Sequence, residues 1–262
     1  MFTHHFKMTG QPFCERATLD QILKDDRFTQ GLARLEFLAL QGTIVLLTGQ
    51  TGVGKSTLIK LFLSSLAPNR YHVVYLHLTH LKTNGFLKLI VTGLGETPKM
   101  GKEKVFSQIL DKTTKSELPT LLVVDEAQLL DADALTDLRL LISSALDDQP
   151  PFKLLLVGQE SLVGQLKRSR HLDLLQRINL RYHLLPLSKT QTIAYIDHQL
   201  LAAGAAEKTF DAEVKAAIYD YTHGIPRQIN NVATACLLEA AVQKVQKVTE
   251  KIFTQTMAEF QF

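Results

Sequence analysis

The sequence predicts an α/β fold, in which a parallel five-stranded sheet flanked by helices is followed by a small all-α domain. Up to Pro186, short apolar runs alternate with longer amphipathic segments, which is the pattern of βαβ units. The glycine-rich run GQTGVGKS at 49–56 joins an apolar run to a helical segment, as a phosphate-binding loop does. After Pro186 only helical periodicity remains. With 262 residues, 45% of them hydrophobic, the chain is long enough to bury such a core.

The elements follow from the positions of the apolar residues. The predicted strands are the runs 43–48, 72–78, 120–125, 153–157 and 178–185, and the predicted helices between them are 56–66, 85–94, 102–115, 132–146 and 160–167. In 132–146, leucine and isoleucine recur at three- and four-residue spacing, which gives that helix one apolar face for the sheet. A further helical region at 19–40 precedes the first strand.

The domain organisation follows from the places where this pattern changes. We expect an amino-terminal segment at 1–42 that packs on the core, an α/β nucleotide-binding domain at 43–186 and a helical domain at 187–262. The helical domain holds predicted helices at 190–202, 211–222, 227–244 and 249–260. A small helical domain after a phosphate-loop sheet is expected to act as a lid over bound nucleotide.

The run at 49–56 carries the first chemical motif. It fits G-x-x-x-x-G-K-[ST], in which glycines let backbone N–H groups point at phosphate oxygens and a helix N-terminus adds a favourable dipole. Lys55 is expected to reach the β and γ phosphates, and Ser56 to ligate Mg²⁺. The expected nucleotide-binding residues are Gly49, Gln50, Thr51, Gly52, Val53, Gly54, Lys55, Ser56 and Thr57, together with Arg227 from the helical domain. The alternative is a glycine-rich turn that matches the motif by chance.

Two adjacent acids end the third predicted strand, in LLVVDEAQ at 121–128. Open parallel sheets bind their ligands at the carboxyl ends of the strands. We therefore expect Asp125 to hold Mg²⁺, usually through water, and Glu126 to orient or deprotonate the water that attacks the γ-phosphate. The alternative for an Asp-Glu pair at a strand end is a solvated turn.

Four more polar residues are candidates for the same site. Gln159 follows the apolar run KLLLVG, where its amide either bonds the γ-phosphate or the lytic water, or is simply a polar strand end. Arg177 and Arg181 lie in QRINLRYHL. An arginine from a neighbouring subunit can stabilise transition-state charge, and we choose Arg177 for this role with Arg181 as the substitute. Arg227 lies in HGIPRQINN, on the first turn of a predicted lid helix.

Taken in order, these motifs resemble those of the AAA+ ATPases, a class of P-loop NTPases. GQTGVGKS, LLVVDEAQLL, KLLLVGQE, QRINLRYHLLPL and GIPRQINNVA are similar, more narrowly, to the ExeA-like group, whose kin include the transposition helpers TnsC, TniB and MuB. The resemblance implies these roles: Walker A at 49–56, Walker B at Asp125 and Glu126, sensor 1 at Gln159, the arginine finger at Arg177 or Arg181, and sensor 2 at Arg227. It also implies that ATP binds between subunits of a ring or helical filament.

The resemblance also implies a function. Secretion-pathway ExeA proteins are similar in their ATPase part but continue into a transmembrane segment and a peptidoglycan-binding region, whereas this sequence ends at Phe262. We therefore expect no membrane anchor and favour a regulator of DNA transposition. Such a protein oligomerises with ATP on duplex target DNA, recruits or stimulates a transposase, and disassembles on ATP hydrolysis. The alternative is a soluble ExeA-like ATPase that assists assembly of a secretion system.

The charge distribution permits DNA binding without requiring it, since the net charge is only +3. One basic stretch holds Lys82, Lys88, Lys99, Lys102, Lys104, Lys112 and Lys115. These lysines either contact the backbone of duplex DNA or form a solvated helix face, because acidic residues interrupt them. A second cluster, Lys167, Arg168, Arg170 and His171, is expected to serve DNA or a subunit interface.

The remaining expectations concern the amino terminus and the cellular compartment. Phe13 either lines the adenine pocket or is a core aromatic residue. Cys14 and Cys236 lie far apart and outside any metal-ligand spacing, as in a reduced cytosolic protein, and each is expected to be buried. No run approaches the ~20 apolar residues of a membrane span, and the start of the sequence lacks a signal-peptide core. We therefore expect a cytoplasmic location.

Overall fold

The computed structural model describes residues 2–14, 18–79, 83–144, 150–206 and 208–259. Its sheet is formed by β1 (Ile44–Thr48), β2 (His72–His77), β3 (Thr120–Asp125), β4 (Lys153–Gly158) and β5 (Leu180–His183). The strand order is β2-β3-β4-β1-β5, and every neighbouring pair is parallel. The predicted parallel five-stranded sheet is therefore confirmed.

The position of each strand explains its pattern of apolar residues. β1 and β3 are buried throughout, as expected of central strands in a parallel sheet covered on both faces. β2 and β5 are the edge strands, and their residues alternate between more and less exposed. The last strand is shorter than the predicted 178–185. Just before it, Asn179 Oδ1 accepts hydrogen bonds from the amides of Thr43 at 2.7 Å and Ile44 at 2.9 Å.

The α-helices are α1 (Phe2–His5), α2 (Asp26–Leu40), α3 (Lys55–Ser65), α4 (Thr83–Gly93), α5 (Lys102–Thr114), α6 (Ala132–Ser143), α7 (Glu160–Leu166), α8 (Leu172–Gln176), α9 (Lys189–Ala202), α10 (Ala212–Thr222), α11 (Pro226–Val242) and α12 (Glu250–Glu259). The helical region predicted at 19–40 is interrupted at 22–25, because the backbone becomes extended at Ile22 after a single 3₁₀ turn, Leu19–Gln21, and α2 begins only at Asp26. α1 and α8 are too short to show periodicity in the sequence. Lys82 and the predicted helix ends Leu146 and Phe260 lie outside the described residues.

The chain divides into two compact units. The sheet unit comprises Arg27–Thr51 and Lys55–Leu184, and the helical unit comprises Met1–Asp26, Gly52–Gly54 and Leu185–Phe262. Within the sheet unit, α2 packs closely because Gly31 has no side chain. A Cβ there would lie 2.6 Å from Leu58 Cδ2 on α3 and 2.9 Å from Tyr182 Cε1 on β5.

The helical unit has an apolar core of its own, drawn mainly from α9, α10, α11 and α12. Phe13 is buried in that core and packs edge-on against Phe210, with the ring centroids 6.4 Å apart. The structure thus supports the core interpretation of Phe13. Cys236 is also buried, which raises the pKa of its thiol to about 11, whereas Cys14 is only half-buried, so its expected burial is incomplete. None of the helices within the described ranges is both long and apolar enough to span a membrane.

Candidate active site

The carboxyl ends of the strands bring the predicted motifs to one edge of the sheet. Thr48 of β1 is in register with Gly158 of β4, and Asp125 of β3 is in register with His77 of β2. The glycine-rich run follows Thr48 directly, and Gln159 follows Gly158. Motifs that are more than a hundred residues apart in the sequence therefore meet where parallel sheets bind their ligands.

The glycine-rich run forms the loop between β1 and α3. Gly52 and Gly54 have φ angles of 80° and 109°, which residues with a side chain rarely adopt. Lys55 begins α3 and is buried, and its Nζ donates hydrogen bonds to the carbonyls of Gly49 at 2.9 Å and Gln50 at 3.0 Å. An ammonium held at a helix N-terminus makes the loop positive and suited to phosphate. Among the other predicted binding residues, Val53 is fully buried, Thr57 is half-buried and Thr51 is exposed.

Asp125 lies beside the start of α3 and is only 1% exposed. Its Oδ2 accepts a hydrogen bond from Ser56 Oγ at 3.3 Å, so the structure brings the two predicted Mg²⁺ ligands together. The same oxygen accepts from the Tyr75 hydroxyl at 2.7 Å, and Oδ1 accepts from the Glu126 amide at 2.9 Å. A hydroxyl beside a carboxylate is the kind of oxygen donor set that Mg²⁺ takes, so these residues fit the ion.

Sequence reasoning misses two residues of this cluster, Tyr75 and His77. Tyr75 opposes Val123 across the strand pair, which places it on the same face as Asp125 because side chains alternate along a strand. Burial, and then the hydrogen bond and negative charge of Asp125, raise the pKa of Tyr75. His77 Nδ1 lies 3.5 Å from Asp125 Oδ2. The alternation in VVYLH could have indicated both residues, but only with the knowledge that this strand lies next to the acidic one.

Glu126 leaves β3 in a left-handed backbone conformation, with φ 58° and ψ 36°. This conformation is uncommon for a residue with a side chain, and such residues cluster at functional sites. Its Oε2 accepts a hydrogen bond from Gln128 Nε2 at 2.5 Å. Gln128 Oε1 in turn accepts from the backbone N–H of Gln159 at 3.1 Å. The structure therefore connects Glu126 to Gln159 through Gln128, whose role sequence reasoning also misses.

Arg177 lies before β5, at the amino end of the sheet, whereas Arg181 lies within β5, in register with Leu46 in the middle of β1. Arg177 follows α8, two residues before Asn179, whose side chain binds the amide of Ile44 at the start of β1. β1 has five residues and is about 17 Å long, so Arg177 lies too far to reach the phosphate loop of its own chain. Arg181 donates to the Leu175 carbonyl at 3.1 Å. Arg177 is exposed, and its side chain has no hydrogen bond or ion pair within the described ranges.

Arg227 lies on the first turn of α11, in the helical unit. Its backbone N–H donates to the carbonyl of Gly52 at 3.2 Å, and a Cβ on Gly52 would lie 2.8 Å from Arg227 Cβ. Two residues define this helix start: Pro226 at the first helical position and Gly224 with a φ of 75°. A Cβ on Gly224 would lie 1.8 Å from the Leu187 carbonyl oxygen, so the turn requires glycine.

Some of the basic residues considered for DNA have partners within the chain. Lys102 contacts the buried Asp137 at 2.7 Å, and Lys112 contacts Glu96 at 2.8 Å, which lowers the pKa of Glu96. His171 is only 1% exposed, and burial followed by the charge of neighbouring arginines lowers its pKa. The inclusion of His171 in an exposed basic cluster is therefore wrong, since its ring packs into the interior.

The fold and this site define a P-loop protein with the AAA+ fold. Residues 39–166, which contain the phosphate loop, the acidic pair and Gln159, match a family model described as AAA domain. Over 254 residues the chain is 30% identical to General secretion pathway protein A of Aeromonas hydrophila, an alignment that covers 95% of this chain and 46% of that protein. The chain therefore spans about half the length of the curated relative that it matches.

Solved structures show the same fold at lower sequence identity. CDC6P from Pyrobaculum aerophilum aligns with a TM-score of 0.73 at 18% identity, covering 94% of this chain and 70% of that one. The Aeropyrum pernix ORC1 protein in complex with DNA aligns with a TM-score of 0.67 at 16% identity, covering 92% and 66%. The Thermotoga maritima RUVB Holliday junction branch migration motor aligns with a TM-score of 0.61 at 20% identity, covering 94% and 73%.

Proposed function

We propose that the chain binds ATP with Mg²⁺ at the loop 49–56 and hydrolyses the ATP. The observation that carries this proposal is the contact between Ser56 Oγ and Asp125 Oδ2, 3.3 Å apart, which joins the phosphate loop to the acidic strand end. Ser56 and Asp125 would hold Mg²⁺, which supplies positive charge to the phosphate oxygens when bound. Lys55, at the N-terminus of α3, would neutralise further phosphate charge.

Glu126 would act as the general base of the hydrolysis. It would accept a proton from a water molecule whose oxygen forms a bond to the γ-phosphorus, while the bond from that phosphorus to the β–γ bridging oxygen breaks and ADP leaves. The left-handed backbone of Glu126 and its hydrogen bond to Gln128 support this role, because both restrict where the carboxylate can lie. Gln159 would bond the γ-phosphate or the water, and Arg227, whose backbone binds Gly52, would contact the nucleotide.

The site would be completed by a second copy of the chain. Arg177 is exposed and lies at the amino edge of the sheet, away from its own phosphate loop. This position suits a group that acts on a neighbouring subunit. Arg181 is the weaker candidate because its guanidinium already donates to the Leu175 carbonyl. We therefore propose self-association into a ring or filament, with Arg177 supplied to the γ-phosphate of the adjoining subunit.

The sequence motifs favour regulation of transposition as the process that ATP would drive. The similarity to General secretion pathway protein A supports assembly of a secretion system instead. That similarity reaches 30% identity across 95% of this chain. We propose an ATPase that assists assembly of a secretion system, and we place this ahead of regulation of transposition. A cytoplasmic location is part of the proposal.

The second candidate is an ATP-dependent regulator of DNA transposition that binds the backbone of duplex DNA and recruits a transposase. One specific observation favours DNA: a structure with this fold, the ORC1 protein, is in complex with DNA. The likeness there is 16% identity and concerns the fold. The ion pairs of Lys102 and Lys112 leave fewer free lysines for such contacts.

The proposed assembly is tested by sedimentation velocity with Mg²⁺ and a non-hydrolysable ATP analogue. We expect the wild-type chain to form oligomers, Lys55→Ala to stay monomeric, and Lys60→Ala, an exposed lysine on the same helix, to behave as wild type. The absence of analogue-dependent oligomers at high protein concentration would contradict self-association. Duplex DNA added at several salt concentrations tests the second candidate, which fails if no binding occurs at low salt with the analogue present.

A further inference from the structure

Gln128 occupies the space between the proposed base and the end of β4. Its side-chain amide donates to Glu126 Oε2 at 2.5 Å and accepts from the backbone N–H of Gln159 at 3.1 Å. We propose that Gln128 is a positioning residue, which fixes the Glu126 carboxylate for attack of water and ties it to the segment that carries Gln159. This inference rests on the proposed ATPase function.

The hydrogen bonds define which way the Gln128 amide faces. A backbone N–H can only donate, so the group that faces Gln159 N must be the Gln128 oxygen. The NH₂ group is therefore directed at Glu126, where it meets an acceptor-only carboxylate. An amide with both ends engaged has one orientation, and it leaves Oε1 of Glu126 to receive a proton.

Further contacts hold Gln128 itself in place. Its backbone carbonyl accepts a hydrogen bond from Gln165 Nε2 of α7 at 3.0 Å. Gly158, the last residue of β4, leaves the space that the Gln128 amide fills, since a Cβ on Gly158 would lie 2.8 Å from Gln128 Oε1. Gln128 lies in the 3₁₀ turn Ala127–Leu129, directly after Glu126, and its hydrogen bonds tie this turn to α7 and to the residue that follows β4. A displacement at the end of β4 would consequently be felt at the base through the Gln128 amide.

The test compares ATP hydrolysis and ATP binding in three variants. Gln128→Ala should lower kcat by about 10- to 100-fold and leave the Kd for ATP unchanged, because a misplaced catalytic group costs rate without touching the phosphate loop. Gln128→Glu keeps the shape of the side chain and the oxygen that accepts from Gln159, but it replaces the donor that faces Glu126 by an acceptor. Its kcat should therefore fall as much as that of Gln128→Ala. Gln108→Ala is the matched control: this buried amide also accepts one backbone N–H, from Lys99, and donates to one carbonyl, of Thr97, and should keep the wild-type kcat.

A double-mutant cycle separates positioning from general structural support. In the Glu126→Gln background, addition of the Gln128→Ala substitution should leave the rate of single-turnover hydrolysis unchanged, since the group through which Gln128 acts is already gone. An independent further loss there would overturn the inference, and so would a wild-type kcat in Gln128→Glu. Absence of hydrolysis by the wild-type chain would instead overturn the proposed function, so the two failures are distinguishable.

Discussion

Replacement of Gly224 by alanine should destabilise the helical unit far more than an ordinary glycine substitution. The left-handed φ of 75° costs an L residue about 1–2 kcal/mol. The new Cβ would lie 1.8 Å from the Leu187 carbonyl oxygen, so the turn must move. That movement breaks the hydrogen bond from Leu187 N to Gly224 O, 2.9 Å long, which contributes about 1 kcal/mol, and the forced repacking costs about 1–3 kcal/mol more. The total is about 3–6 kcal/mol.

Gly204 provides a control in the same unit with the same φ of 75°. A Cβ there would approach Thr9 Oγ1 at 2.8 Å, which is a side-chain atom that can rotate away. Gly204→Ala should therefore cost only the backbone term of about 1–2 kcal/mol. The difference between the two variants, about 2–4 kcal/mol, isolates the collision with the backbone of Leu187.

The thiol of Cys236 reports on the helical unit alone, because it is buried in the core of that unit. In a Cys14→Ser background, the labelling rate of the native protein by a thiol reagent measures the free energy of opening this core. Gly224→Ala should label about 30- to 700-fold faster than Gly204→Ala, since each 1.4 kcal/mol is a factor of ten. Equal rates for the two variants would refute the reasoning.

Two further predictions concern the nucleotide site. Tyr75→Phe removes a hydrogen bond from the buried Asp125, so it should raise the Mg²⁺ concentration needed for half-maximal hydrolysis by several-fold; an unchanged Mg²⁺ titration would contradict this. Arg177→Ala should bind ATP normally but fail to hydrolyse it, and mixing it with Glu126→Gln should restore part of the activity, because mixed assemblies then contain sites with both groups intact. If mixtures of Arg177→Ala and Glu126→Gln stay inactive, the site is not shared between subunits. Arg181→Ala should retain most of the wild-type hydrolysis.

The sequence alone predicts those parts of the site that are formed by residues adjacent in the chain. The loop with Lys55 and Ser56, and the strand that ends in Asp125, are each encoded by contiguous residues that form a recognisable motif. Their meeting follows from a general property of parallel sheets. Tyr75 could not be predicted in the same way, because its contact with Asp125 depends on which strand lies beside β3.

Gln128 is a second residue whose role could not be predicted from the sequence. It stands in the run that predicts the acidic pair, yet its role depends on the left-handed turn at Glu126 and on the space left by Gly158. Those are properties of the folded backbone, which residue types alone do not specify. The short helices α1 and α8 escaped prediction for a related reason, since one turn of helix shows no periodicity.

The central claim is that the chain hydrolyses Mg²⁺–ATP with Glu126 as the base. Its most direct test is single-turnover hydrolysis of ATP by the wild-type chain and by Glu126→Gln, with the Kd for ATP measured on the same samples. Glu126→Gln is expected to bind ATP as tightly as wild type and to hydrolyse it at least about 100-fold more slowly. Hydrolysis by Glu126→Gln at the wild-type rate, or none by the wild-type chain, would contradict the account.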